Sequence, residues 1–174
     1  MTSYRSNRVI HTRLSSRQIP DLLQTIFVSE LIAPSACLWV VSPWISDIPI
    51  INNTTNSFQF LDTSWGRGVV RFSQVLKSLA DLGSTIQVAT RPDSHNLIFI
   101  DRLRSMANAE KIQIHSVETL HEKGIVGDEF YLGGSMNFTH NGITFNEEAV
   151  IYNTDPETVA ERRVILKDRW GGER

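Results

Sequence analysis

The stretch HEKGIVGDEFYLGGSMN, residues 121–137, places His121, Lys123 and Asp128 just ahead of a Gly134-Ser135-x-Asn137 turn. If residues 120–128 run as a strand, side chains alternate, so His121, Lys123 and Ile125 share one face and Glu122 takes the other. His121 and Lys123 then sit about 7 Å apart, two strand rises, and one phosphate group can touch both. A short strand over 129–133 leads into Gly133, Gly134 and Ser135, where small residues let backbone N–H groups converge on an anion. Asn137 adds an amide donor. An ammonium, an amide, a hydroxyl and backbone donors around an imidazole describe a phosphodiester pocket that needs no metal and no cofactor.

In such a pocket a neutral imidazole can attack phosphorus, forming a covalent phosphohistidine and splitting one hard displacement into two easier ones. A carboxylate usually orients the other ring nitrogen. In FNEEAVIYN, residues 145–153, alternation puts Asn146, Glu148 and Val150 on one face and Glu147 on the opposite one. Glu148 is therefore the candidate partner for Nδ1 of His121. The leaving alkoxide also needs a proton, which requires a second acid. None of His11, His95, His115 or His140 lies in a second copy of the pattern.

HEKGIVGD and GGSMNFT resemble the HxKxxxxD and GSxN motifs of the phospholipase D superfamily, and FNEEAV resembles the N-x-E segment that follows them. LWVVSPWISD is similar to the strand and loop that open such domains, and IQVATRPD to a later strand. At residue frequencies of about one in twenty, so many matches in register arise by chance on the order of once in a million. The resemblance implies a phospholipase D-like α/β sandwich with a mixed central sheet flanked by helices. It also implies catalytic roles for His121, Lys123, Asn137, Glu148 and Asp128, with Ser135, Gly134 and Trp44 binding substrate. Other readings stay open for several of these. An aspartate before a tight turn is often structural, Ser135 can be a plain turn serine, and Trp44 can be core rather than groove wall. Single-motif family members build their site across a dimer twofold axis, so a homodimer is expected, with one His121 as nucleophile and its twin as general acid.

Compact single-motif relatives are frequently bacterial nucleases, which points to a DNA or RNA endonuclease. More narrowly, the chain resembles small phospholipase D-like proteins of bacterial defence and 7-deazaguanine DNA-modification gene clusters, where an ATPase or helicase partner can supply DNA handling. Two alternatives stand beside this: a phospholipase or transphosphatidylase, and a nucleic-acid-binding subunit that depends on a partner for activity.

The elements that must carry these residues are legible as alternating periods. A helix is expected from Pro20-Asp21 to Ala33-Pro34, and Cys37–Val41 reads as a buried strand opening into a loop at Ser42-Pro43. Polar residues 51–68 read as a mobile loop. Residues 69–82 repeat apolar positions at helical spacing up to Gly83. A strand at 85–93, a helix at 95–109 and a strand at 110–117 precede the motif, and Asp155-Pro156-Glu157 opens a closing helix. Tyr131, Leu132, Val126 and Phe145 read as core. This alternation is that of an α/β fold with a mixed sheet.

At 174 residues the chain is one domain's worth, and 41% apolar with 21% charged residues is ordinary globular composition. A single cysteine, Cys37, and no zinc-like spacing suggest a reducing, cytoplasmic setting. No apolar run approaches the roughly 20 residues needed to span a bilayer, so no membrane insertion is expected. The net charge of −2 excludes a global cationic field, so a polyanion must be held locally. Residues 1–20 carry Arg5, Arg8, Arg13 and Arg17 without an acid. They read as a solvated terminus with a first strand at 8–14, as a nucleic-acid-contacting arm, or as a transit-like segment. Arg67 and Arg71 are further candidates for contact with a nucleic-acid backbone.

Overall fold

The structure is a computed structural model describing residues 7–11, 17–106, 108 and 110–171. Its spine is a seven-stranded mixed sheet in the order β1-β9-β8-β7-β2-β5-β6. Cys37–Val41 (β2), Thr85–Thr90 (β5) and Ile112–Ser116 (β6) are parallel neighbours. The continuous apolar run of β2, and the buried β5 beside it, suit strands covered on both faces, whereas the edge strand β6 alternates. Parallel pairing requires long crossovers. Gln18–Ile32 (α1) leads into β2; Phe72–Asp81 (α2) and Ser94–Met106 (α3) lie in the crossovers to β5 and β6. The other half of the sheet is an antiparallel meander of Gly124–Val126 (β7), Tyr131–Gly134 (β8) and Ala149–Asn153 (β9), with Asn7–His11 (β1) at the edge. Residues 1–6 and 12–16 of the basic arm lie outside the described residues, and its last three, 18–20, open α1.

Helices α1 to α3 cover one face, where Phe72 meets Phe27 and Phe99 at ring separations of 5.4 Å each and Phe138 at 6.1 Å. All four are fully buried, so truncating Phe72 would cost about 3–5 kcal/mol. The opposite face carries Pro156–Trp170 (α5), capped by Asp155, whose carboxylate accepts from Thr158 N at 2.9 Å. Its Leu166 is buried in a cluster with Trp39, Val41, Ala89, Leu120 and Val126.

One expectation needs correction. Val69–Arg71 form a short strand, β4, paired with Pro49–Asn52 (β3), and the helix starts only at Phe72. Asp47 enforces that start by accepting from Ser73 N at 2.9 Å. Residues 51–68 begin in β3 and then form an internally bonded loop. Fully buried Asn53 exchanges backbone bonds with Gly68, donates to the Gly66 carbonyl and accepts from Phe58 N. Asparagine side chains replace a turn's backbone bonds in this way, and polar composition alone hides it.

Candidate active site

Strand direction collects the chemistry at one end of the sheet. β2 and β5 are parallel, so Ser42–Trp44 and Arg91 leave the sheet together. β7 runs against β2, which brings its entry residues, Leu120–Lys123, to the same end. β8 exits there into Ser135–Asn137, and β9 enters there from Glu148. A short helix, His140–Thr144 (α4), follows Asn137 and is capped by Thr139, which accepts from Gly142 N.

His121 is exposed. The strand expected over 120–128 pairs only at Gly124–Val126, because β2 ends at Val41, the partner of Gly124. Residues 121–123 therefore project past the ladder, and Lys123 folds back to donate from Nζ to the His121 carbonyl at 2.9 Å. Burial holds the Lys123 ammonium below the ordinary lysine value; Glu148 opposes that shift and Arg91 adds to it. These three charges thus sit within electrostatic reach of one another. Glu148 accepts from the Ser135 hydroxyl and, at 3.3 Å, from Asn146 Nδ2. Ser135 is further fixed by Ala149, whose N donates to Ser135 Oγ at 3.1 Å and whose carbonyl accepts from Ser135 N at 3.0 Å.

Gly134 has φ of 140°, and a Cβ there would lie 2.1 Å from the Ala149 carbonyl oxygen. Only glycine allows β8 and β9 to approach this closely before Ser135 turns outward. Asn137 accepts at Oδ1 from Ser42 Oγ at 3.4 Å, which leaves the donor role to its amide nitrogen. Trp44 is half-buried. It donates from Nε1 to Asp93 at 3.4 Å, and the Arg91 guanidinium lies 4.9 Å from its ring centre.

Asp128 is not brought to this site. It lies beyond the other end of β7, and its carboxylate accepts from Ala36 N at 2.7 Å and faces Arg163 at 2.8 Å. Its own N donates to Ser35 Oγ at 2.8 Å. The placement among catalytic residues is corrected: five extended residues from Lys123, about 16 Å, put Asp128 where it ties the β7–β8 turn to the start of β2 and to α5. Phe145, read as core, is 71% exposed and stands edge-on to His140.

Three residues at this end carried no motif. Arg91 donates from Nε to the Leu120 carbonyl at 2.8 Å, linking β5 to the His121 segment. Asn96, fully buried, accepts from Ile45 N at 2.8 Å and donates to the carbonyls of Pro43 and Arg91 and to Thr90 Oγ1. Ser42 bridges Trp44 and Asn137. A signal existed for Arg91, since ligands in open α/β sheets collect beyond strand carboxyl ends. Nothing in the sequence distinguished Asn96. Among the described residues no cluster of His, Cys, Asp and Glu is arranged to hold a metal ion.

The sequence profile described as cardiolipin synthase, PLD-like domain, matches residues 48–170, well over half the chain. The chain belongs to the phospholipase D-like family. Phosphodiesterase chemistry of that superfamily is the activity class this membership supports. No curated protein matches the chain. Among solved structures it is similar to NucT from Helicobacter pylori, with TM-score 0.66 and 14% identity over 93% of both chains. It is also similar to Nuc from Salmonella typhimurium, a phospholipase D family member, with TM-score 0.57 and 15% identity over 97% of this chain and 95% of that one. Phosphatidylserine synthase from Haemophilus influenzae matches with TM-score 0.60 and 9% identity over 95% of this chain and 37% of its own. At such identities these likenesses establish the phospholipase D-like fold, and the fold hosts more than one substrate class.

Proposed function

We propose that the protein is a metal-independent endonuclease that cleaves DNA or RNA through a phosphohistidine at His121, in a site completed by a second copy of the chain. The observation that carries this reading is the convergence of five chain segments at one end of the sheet, where the exposed His121 lies with Lys123, Ser135, Asn137 and Glu148. His121 attacks phosphorus; a P–N bond forms as the P–O bond breaks, and the second copy's His121 protonates the departing alkoxide. Water then attacks the phosphohistidine, giving up its proton to that second imidazole and restoring both rings. Lys123, the Asn137 amide and the Ser135 hydroxyl stabilise the charge that builds on the phosphoryl oxygens. Glu148 orients the nucleophile's ring, and Trp44 with Gly134 shapes the groove. Two close imidazoles around one phosphate titrate apart, so one is neutral and one charged.

NucT and Nuc, which this chain matches over nearly their whole length, support the nuclease reading. A role in bacterial defence, with an ATPase or helicase partner, extends the same reading. A second reading, transfer on a phospholipid, draws support from the cardiolipin synthase description and the phosphatidylserine synthase likeness. No helix among the described residues is long and apolar enough to cross a membrane. The test incubates labelled DNA, RNA and phospholipid with the protein in excess EDTA. Nucleic-acid cleavage that vanishes in His121→Ala is expected. Lipid turnover would transfer the site to the second reading, binding without turnover would indicate a partner-dependent subunit, and a metal requirement would overturn the mechanism.

A further inference from the structure

The segment carrying His121 and Lys123 lies outside the sheet ladder, so strand pairing does not fix it. Side-chain anchors take over. Leu120, 2% exposed, is buried in one cluster with Val126 and with Leu166 of α5, and its carbonyl is held by Arg91. Glu122 sits between the two functional side chains and points the other way, towards α5. Its Oε2 accepts from Arg169 Nη1 at 2.5 Å, and its Oε1 faces Arg162 Nη1 at 3.9 Å. Each arginine is itself steadied by a ring: Arg162 lies 4.9 Å from the centre of Tyr131, and Arg169 lies 4.0 Å from that of Trp170. Spaced a heptad apart, they lie on one side of the helix, about 10 Å from each other along its axis. Tyr131 also rests over Gly124, so Arg162 is tied to the first residue of β7 as well.

Half-exposed ion pairs of this kind add little to stability. Guanidinium groups held over aromatic rings nevertheless give a carboxylate a fixed address. We propose that Glu122, held by Arg162 and Arg169 of α5, is the positioning residue for the His121–Lys123 pair. This rests on the reading of His121 as nucleophile. Adjacency in the chain makes the coupling direct: anchoring Glu122 to α5 restrains the backbone from which the side chains of His121 and Lys123 project. Without the anchor the segment samples other geometries, and fewer bound substrates meet the imidazole in line. Substrate affinity, set by Lys123, Asn137 and the turn donors together, changes little.

Steady-state hydrolysis of bis(4-nitrophenyl) phosphate by the full-length protein provides the test, with rates normalised to folded protein by circular dichroism. Glu122→Gln is expected to lower kcat by about tenfold to a hundredfold, the loss typical of a small misplacement, while KM stays within about twofold. Arg169→Gln, near the exposed helix end, provides a second variant with the same expected split. The double variant should be no slower than the worse single one, because both remove one interaction. Unchanged kcat in the singles, additive losses in the double, or a loss carried wholly by KM would overturn the positioning role. Turnover that survives His121→Ala would remove the nucleophile reading, and the positioning role with it.

Discussion

Asp128 and Glu30 belong to one network at the end of the sheet opposite His121, and both are best judged by what they hold. Asp128 satisfies the Ala36 N–H and faces Arg163. Asp128→Ala leaves a backbone donor without its partner, which costs about 1–3 kcal/mol. The expected outcome is a lowered urea midpoint with kcat per folded molecule unchanged; a loss of kcat at constant stability would return Asp128 to the catalytic set. Glu30 is 7% exposed and accepts from Ser35 N and Ser35 Oγ, each at 3.0 Å. Burial raises its pKa above the ordinary glutamate value, with Asp128 and Glu129 pushing the same way and the Ser35 bonds opposing. Protonation therefore favours the fold. The contribution is complete below the ordinary glutamate pKa and is lost as pH rises through the higher folded-state value. Glu30→Gln should match the wild type in thermal midpoint near pH 4 and exceed it near pH 7. Equal midpoints at both pH values would show that Glu30 carries no such penalty. The residues proposed to do the chemistry were legible because they cluster in sequence and their types are specific. Asp128 was misplaced because an HxKxxxxD string gives spacing but not strand length, and three paired residues are enough to carry a carboxylate to the far end.

At the scale of elements, β2, β5, β6, α1 and α5 were legible from their apolar patterns, α5 also from its Asp155 cap, whereas β3 and β4 were not, and the loops that finish the site follow from single buried polar side chains. Asn96 is the clearest case. It lies in the first turn of α3, where a sequence reading sees only a polar helix residue, yet its amide joins the exits of β2 and β5 through Pro43, Ile45, Thr90 and Arg91. The placement of Arg91, and through it of Leu120, depends on that amide. Asn96→Ala should destabilise the fold by about 2–4 kcal/mol, since it strands several buried groups at once. It should also lower activity beyond the loss of folded protein, because Trp44 and Arg91 lose their common support. Asn96→Asp tests the same point with the shape retained and the donors removed. If either variant, once folded, turned over substrate at the wild-type rate, the β2 and β5 exits would be independent of Asn96. The loop at 53–68 makes the same point: Asn53 organises it, and composition records only that it is polar.

For the whole molecule, the proposed twofold site requires a surface near His121 that another copy can cover. One row across the sheet, Gly124, Gly133, Ile151 and Val9, shares the face that carries α5. Helix α5 packs on β7 and β8, and towards the edge the cross-strand pair Val9 and Ile151 is left 54% and 37% exposed. An apolar pair on an edge and its neighbour, beside a chemically active end, is a liability for a monomer and a natural seam for an isologous contact. With a net charge of −2, the chain gains no cationic field from its overall composition, so doubling the local set of Lys123 and Arg91 across a twofold axis would concentrate positive charge where a phosphate must bind. Ile151→Asp should then convert a dimer to a monomer by sedimentation, leave the circular dichroism spectrum intact, and abolish cleavage. Wild-type specific activity should likewise fall on dilution through the dimer dissociation constant, and mixing inactive His121→Ala with Ile151→Asp should restore nothing. A monomeric Ile151→Asp protein that cleaves at the wild-type rate would mean that one chain supplies both the nucleophile and the acid, and the twofold mechanism would have to be abandoned.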